Sequence, residues 1–278
     1  MALTWQQMLL PFHIYGIDFS GAKDAGNKIW ISKGTVKGEK LLIEDCFRAS
    51  DIQGSGNDRE RCIDALKDFV GQNEHAAFGF DFPFGLPEKL VKQGSWEDFI
   101  NAFPGLYKDP EDFKRTCFSN AGGRELKRVT DIESQTPFSP YNLRLYKQTY
   151  YGILKILRPT VRNKRACVLP MQEPLAGKPW ILEICPASTL IALELYISYK
   201  GRTDEHRANR GRILNKIEKT SLLQMLEPGI YETVLEDKEG NGIDSVIAAT
   251  ATFRALKKKA ASPKAMKDSY SIEGYVYA

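Results

Sequence analysis

Runs of apolar residues divide the first third of the chain into short strands and one helix. Three strand-like runs come first, at His13–Asp18, Lys28–Ser32 and Lys40–Cys46. Asp58–Val70 then repeats apolar residues at helical spacing, between Asn57 as the expected N-cap and Gly71 as the expected stop. Ala76–Asp81 is a further apolar run, ended by Pro83. The pattern predicts three antiparallel strands, a helix and a fourth strand.

The order of these elements limits the topology. A right-handed crossover through the helix places the fourth strand parallel to the first and beside it. An antiparallel three-strand meander followed by such a crossover opens every ribonuclease H-like domain. We therefore predict an α/β fold with a ribonuclease H-like mixed sheet, in which an antiparallel meander and parallel strands are flanked by helices.

The pattern is helical and irregular from residue 88 to 179, and strand character resumes at Trp180–Cys185. The candidate helices of this stretch are Trp96–Phe103, Pro110–Phe118 and Asn142–Leu157. Further helices are predicted at Ser188–Tyr199, Glu205–Leu226 and Gly242–Lys259, and an edge strand at Tyr275–Tyr277. We predict a single domain over residues 1–278, with a helical, basic insertion at 88–179.

Four acidic residues occupy unusual positions in this pattern. Asp18 and Asp81 each end an apolar strand, Glu183 lies inside a third, and Asp244 begins the last long helix. Acidic residues are depleted in strands and costly to bury, and ligands of open α/β sheets bind at the carboxyl ends of parallel strands. Four carboxylates without histidine or cysteine suit Mg²⁺ or Mn²⁺, and two such ions about 4 Å apart can hydrolyse a phosphodiester. We predict that these four residues are both the catalytic and the metal-binding residues.

Each acid also has a structural explanation. Asp244 fits a helix N-cap, and Asp81 fits a turn before Pro83. Glu183 fits an ion pair with a buried arginine, and Asp18 fits a simple strand end before Ser20 and Gly21.

Amino-acid composition indicates the class of protein and its cellular compartment, and says less about its function. The chain has 278 residues, 42% of them hydrophobic and 27% charged, which is ordinary for a globular protein, and a net charge of +4. Its five cysteines are scattered and its three histidines isolated, which argues against a zinc site and for a reducing compartment. The N-terminus lacks the features of a signal peptide, and no run is long enough to cross a membrane. We predict a cytoplasmic protein with no membrane partner.

Charge is unevenly distributed. Residues 107–165 carry 13 lysines and arginines against 6 aspartates and glutamates, leaving 26 basic and 29 acidic residues elsewhere. Aromatic residues are interleaved with these basic ones, a combination that binds phosphates and stacks on unpaired bases. The alternative is a helical lid with a solvated basic face and packed aromatics. Arg162, Lys164 and Arg165 are the predicted substrate-binding cluster of this segment.

Several segments together resemble a known family. They are GIDFSGA (16–22), FGFDFPFGLP (78–87), LEICPAST (182–189), GIDSVIAATATFRAL (242–256) and EGYVYA (273–278). The chain is similar over residues 13–278 to the family catalogued as domain of unknown function 429, regarded as nucleases of ribonuclease H-like fold. The resemblance implies that Asp18, Asp81, Glu183 and Asp244 are site residues, and that Arg128, in an Arg128-x-x-Asp131 motif, contacts phosphate. Well-studied ribonucleases H take a glutamate from their first helix, whereas Glu183 comes from a later strand.

Three functions remain to be separated. The first is a nuclease that hydrolyses nucleic acid, RNA or DNA, with Mg²⁺ or Mn²⁺. The second is a nucleotide-hydrolysing or phosphotransfer enzyme, since actin-like kinases share this core, although they need two related domains and glycine-rich phosphate loops. The third is a catalytically silent nucleic-acid-binding protein.

Overall fold

The computed structural model describes residues 12–220, 223–225, 227–258 and 267–278. Its strands are β1 (His13–Asp18), β2 (Trp30–Lys37), β3 (Lys40–Arg48), β4 (Ala76–Phe80), β5 (Cys167–Leu169), β6 (Trp180–Ile184), β7 (Leu223–Met225) and β8 (Val276–Tyr277). Residues 1–11, in which the sequence shows no signal-peptide features, lie outside the described residues.

The strands form one eight-stranded mixed sheet in the order β5-β6-β4-β1-β2-β3-β7, with β8 paired to β6. The pairs β1–β2 and β2–β3 are antiparallel, which is the predicted meander. β4 lies parallel to β1, with Ile17 opposite Phe80, and β6 lies parallel to β4, with Glu183 opposite Phe80. The ribonuclease H-like strand order predicted from the sequence is therefore confirmed.

Helices cover both faces of this sheet. They are α1 (Ala25–Lys28), α2 (Arg59–Gln72), α3 (Trp96–Leu106), α4 (Pro110–Asn120), α5 (Val129–Glu133), α6 (Tyr146–Tyr151), α7 (Arg158–Asn163), α8 (Pro186–Ala192), α9 (Asp204–Lys219), α10 (Pro228–Glu236), α11 (Asn241–Lys257) and α12 (Tyr270–Glu273). A π-helical segment, Gly152–Leu157, joins α6 to α7.

Two hydrophobic cores separate the layers. One contains Ile17, Phe78, Phe80 and Ile181, packed with α2 and the helices of the insertion. The other contains the opposite face of the same strands, packed with α8, α9 and α11. Because successive strand residues point to opposite faces, each strand contributes alternately to the two cores.

Helix α11 lies unusually close to the sheet. A Cβ atom on Gly16 would lie 2.0 Å from the carbonyl oxygen of Ser245, and one on Gly79 would lie 1.9 Å from Oγ1 of Thr252. Only glycine leaves room for this approach, because any side chain at these positions would overlap the helix. The glycines of β1 and β4 thus bring the start of α11 to the strand ends.

Helix ends were the least accurate part of the sequence prediction. The helix predicted at Ser188–Tyr199 ends at Ala192, where the chain turns through Glu194 with φ of 58°. The helix predicted at Glu205–Leu226 ends at Lys219, and Leu223–Met225 instead forms β7 beside β3. Residues 221, 222, 226 and 259, which the last two predicted helices included, lie outside the described residues.

Two further differences concern capping and the insertion. Asp58, rather than Asn57, caps α2, because its side chain accepts a hydrogen bond from the backbone N–H of Arg61 at 3.0 Å. The predicted helical insertion also contains a strand, β5, which pairs with β6. Its helices share a core with β1 and β4, so the insertion covers one face of the sheet. Among the described residues, no helix has the length and hydrophobicity required to span a membrane.

Candidate metal centre

Three of the four predicted acids meet at the carboxyl ends of β1 and β4. Asp18 ends β1, and Asp81 follows β4 directly, with its backbone N–H donating to the carbonyl of Ile17 at 3.0 Å. Asp244 lies in the first turn of α11, which crosses this end of the sheet. One carboxylate oxygen from each of the three residues lies within 4.8 Å of the others. That spacing allows a single cation to contact all three.

The carboxylates of Asp18 and Asp81 have no hydrogen-bond donor among the described residues. Asp18 is 8% exposed, yet its carboxylate interacts with its neighbours through charge and not through hydrogen bonds. Burial, and then the negative charge of Asp244, raise the pKa of Asp18 well above its ordinary value. The same two causes raise the pKa of Asp81 to about 8. Carboxylates that are buried, like Asp18, or half-buried, like Asp81, are costly without a donor, and a divalent cation would remove that cost.

Asp244 differs from the other two because both of its oxygens are engaged. The Tyr199 hydroxyl donates to Oδ1 at 2.5 Å, and the Lys200 ammonium pairs with Oδ2 at 2.5 Å. Burial alone would lower the pKa of Lys200, but the negative charges of Asp244 and Asp18 outweigh it and raise the pKa above its ordinary value. Lys200 therefore carries a positive charge at neutral pH. Asp244 is not the N-cap of its helix, a position held by Gly240. Its structural explanation from the sequence is therefore wrong.

Glu183 lines the same cavity but is not one of the three acids whose carboxylate oxygens lie within 4.8 Å of one another. On β6, Ile181 belongs to the core beneath the insertion and Leu182 to the core beneath α11, so Glu183 points towards the insertion. Asp18 lies two residues after Gly16 on β1 and therefore on the same face of the sheet. A Cβ on Gly16 would meet α11, so Asp18 points towards α11, opposite to Glu183. Glu183 accepts hydrogen bonds from the backbone N–H of Phe84 and from Arg128. Its predicted alternative, an ion pair with a buried arginine, is what the structure contains.

Arg128 is enclosed by the protein, contrary to its predicted contact with phosphate. It is 1% exposed and forms ion pairs with both Asp131 and Glu183. Its remaining donor capacity goes to the carbonyl of Glu273 at 3.1 Å. With every guanidinium nitrogen bonded internally, Arg128 ties the insertion to β6 and to the C-terminal segment. It stabilises the wall of the site and leaves no nitrogen for a ligand.

The acids lie in a cavity of about 900 Å³ between the sheet end, the insertion and the loop before α9. Basic residues on its wall are Lys28, Arg144, Lys200 and the internally paired Arg128, and the Gln148 side-chain amide donates to the carbonyl of Asp81 at 2.7 Å. Phe138 lies under the guanidinium of Arg144, and Tyr196 at the same cavity is 59% exposed. Positive charge and accessible rings therefore surround the carboxylates.

Arg162, Lys164 and Arg165 do not contribute to this cavity. They are exposed at the end of α7, just before Cys167 begins β5. Cys167 pairs with Trp180, the first residue of β6, so the cluster lies at the amino ends of the parallel strands. The acids lie at the carboxyl ends. This cluster therefore lies away from the site, and the basic residues that the insertion contributes to the cavity are Arg144 and the internally paired Arg128.

Sequence reasoning missed Tyr199, Lys200, Lys28 and Arg144. Tyr199 was assigned to a helix and Lys200 to the loop after it, and neither belongs to a motif or a periodic pattern. The available sequence signal was the interleaved charge and aromaticity of residues 107–165, a segment that includes Arg144 and Phe138.

The donor set fits a hard divalent cation. Three carboxylates supply oxygen ligands, and no histidine or cysteine belongs to the group. Mg²⁺ and Mn²⁺ prefer such ligands, whereas a zinc site would use nitrogen or sulfur. Asp18 and Asp81 would hold the ion, with one further oxygen from Asp244.

No family model and no curated protein matches the chain. Among solved structures, it is similar to the crystal structure of the yeast mitochondrial Holliday junction resolvase Ydc2. The TM-score is 0.42 and the sequence identity 10%, over 91% of this chain and 83% of that chain. A similarity of that degree carries no argument about activity, so the fold rests on the strand order and register. Membership of the domain of unknown function 429 family stays a prediction.

Proposed function

We propose that the chain is a metal-dependent nuclease that hydrolyses phosphodiester bonds of nucleic acid at the Asp18, Asp81 and Asp244 centre. The observation that carries this proposal is the pair of carboxylates, Asp18 and Asp81, that lack any hydrogen-bond donor among the described residues. They lie within 4.8 Å of Asp244 in a cavity with basic and aromatic walls. A merely structural buried acid would have a hydrogen-bond donor as its partner.

The reaction is the addition of water across a phosphodiester. A water oxygen bonds to phosphorus as the bond to one ester oxygen breaks; that oxygen takes up a proton, and the water releases one. A bound Mg²⁺ or Mn²⁺ supplies Lewis-acid activation of this step. Tyr199 and Lys200 orient Asp244, and Lys200 and Arg144 attract the phosphate. Phe138 and Tyr196 offer rings to a base beside the scissile bond.

The single sheet of the described residues and the residues that line the cavity favour hydrolysis over phosphotransfer. The described residues form one eight-stranded sheet, whereas kinases that share this core have two related domains. The exposed rings and basic residues suit a polynucleotide chain, which must enter and leave an open cleft.

The test is cleavage of end-labelled single-stranded and duplex RNA and DNA in Mg²⁺ or Mn²⁺. We expect cleavage that chelator abolishes, and that Asp18→Asn and Asp81→Asn each reduce by at least about a hundredfold. Glu74→Gln removes a charge from an exposed position away from the site and serves as the matched control. Cleavage that survives in Asp18→Asn would exclude this centre. Nucleic-acid binding without turnover would instead identify a silent binding protein.

A further inference from the structure

We propose that Lys200 supplies the second positive charge of the metal centre, so that the site holds one divalent ion and uses the lysine where other nucleases use a second ion. This inference rests on the proposed function and concerns how that same site handles charge. It begins from the unequal state of the three carboxylates. Both oxygens of Asp244 are engaged, one by Tyr199 and one by Lys200, while Asp18 and Asp81 have no donor among the described residues.

Charge balance leads to the same count. Three carboxylates and one ammonium group lie together, and a single divalent cation neutralises the remaining negative charge. A second divalent ion would place an excess of positive charge beside the Lys200 ammonium. Cations at such short range repel strongly in a partly enclosed site. The second ion would therefore bind only after Lys200 is removed.

The chain holds Lys200 in place from both sides. Arg210, which is 2% exposed, donates to the carbonyl of Tyr199 at 2.6 Å and to that of Gly201 at 3.3 Å. The backbone N–H of Gly201 donates to the carbonyl of Lys238 at 2.9 Å. A Cβ on Gly240, whose φ is 78°, would lie 2.9 Å from Cγ of Lys200, so this glycine makes room for the lysine stem. A surface lysine in a chance ion pair would not need such fixed surroundings.

The ammonium group is also accessible to a ligand. The Lys200 side chain is 53% exposed and lines the cavity that contains the acids. A phosphate that enters the cavity beside the acids would therefore lie within reach of Lys200. Stabilising the charge that develops on the phosphate is the role a second ion plays in two-metal sites.

The count of bound ions tests this directly, without reference to cleavage. Titration calorimetry of the full chain with Mn²⁺ should give one ion for the wild type and two for Lys200→Met. Lys200→Arg keeps the charge and should bind one. Lys28→Met removes another cavity lysine, paired with Glu239 and not with the acids, and should also bind one. Two ions in the wild type, or one in Lys200→Met, would overturn the proposal.

Kinetics supply the second measurement. Lys200→Met should lower kcat by about a hundredfold to a thousandfold, as loss of a transition-state donor does, with a much smaller change in KM. Raising Mn²⁺ should recover part of this loss in Lys200→Met alone. An unchanged kcat would refute the role of Lys200. If the wild type binds one ion but cleaves no nucleic acid, the proposed nuclease function is refuted and the single-ion site is not. If it cleaves nucleic acid but binds two ions, the single-ion site is refuted and the nuclease function is not.

Discussion

Replacing Asp81 with Asn should stabilise the metal-free protein, because the wild type keeps a strained carboxylate at this position. Burial and the charge of Asp244 raise the pKa of Asp81 from 3.8 to about 8. Below the pKa of Asp81 in the unfolded state, this carboxyl is protonated in both states, so the shift costs no stability. The cost grows as the pH rises from about 4 to about 8, and is constant above that range.

The size of the effect follows from the shift. At pH 7 the solution is about three pH units above the pKa of Asp81 in the unfolded state. At about 1.4 kcal/mol per unit, this corresponds to a cost of roughly 4 kcal/mol. Asp81 is only partly buried, and solvent screening makes this an upper limit. For a chain of this length, about 2 °C per kcal/mol converts it to at most about 8 °C in melting temperature.

Thermal melts of wild type and Asp81→Asn in chelator, from pH 5 to pH 9, measure this difference. We expect the variant to melt higher, by a margin that widens between pH 5 and pH 8. Mn²⁺ at about a thousandfold above its Kd stabilises by about 4 kcal/mol and should cancel the advantage, because only the wild type binds it well. Glu74→Gln should follow the wild type in both series. A variant that is less stable than the wild type in chelator, or that responds equally to Mn²⁺, would refute a strained metal-binding carboxylate.

Three further predictions concern the surroundings of the site. Arg128→Met should destabilise the protein by about 3–5 kcal/mol in urea unfolding, because it leaves Asp131 and Glu183 buried without their cation. Arg144→Gln should reduce the slope of log affinity against log salt for single-stranded DNA by about one, while Arg162→Gln, at the other end of the sheet, should leave it unchanged. Gly16→Ala should cost about 1–3 kcal/mol and also weaken Mn²⁺ binding in calorimetry, because its Cβ would push α11 and Asp244 away from the sheet. Unaltered Mn²⁺ affinity in a destabilised Gly16→Ala would show that α11 does not set the position of the site.

Much of the fold was predictable because it depends on local patterns. The apolar runs of β1, β4 and β6 and the helical period of α2 are each visible within a dozen residues, and the crossover through α2 implies that β4 lies parallel beside β1. β7 was missed because its three residues are too few to show a strand pattern. The end of α8 was missed because it depends on the left-handed conformation at Glu194.

The sequence by itself determined that acids end two neighbouring parallel strands, and hence that Asp18 and Asp81 meet at one end of the sheet. Tertiary structure alone decided which face of the sheet each acid uses. A strand residue points to one face or the other according to its register, and register across β4 and β6 depends on packing that no single strand encodes. That is why Glu183 pairs with Arg128 instead of joining the metal centre. Lys200 was likewise out of reach, because a loop residue comes to the carboxylates only through the folded positions of Arg210 and Gly240.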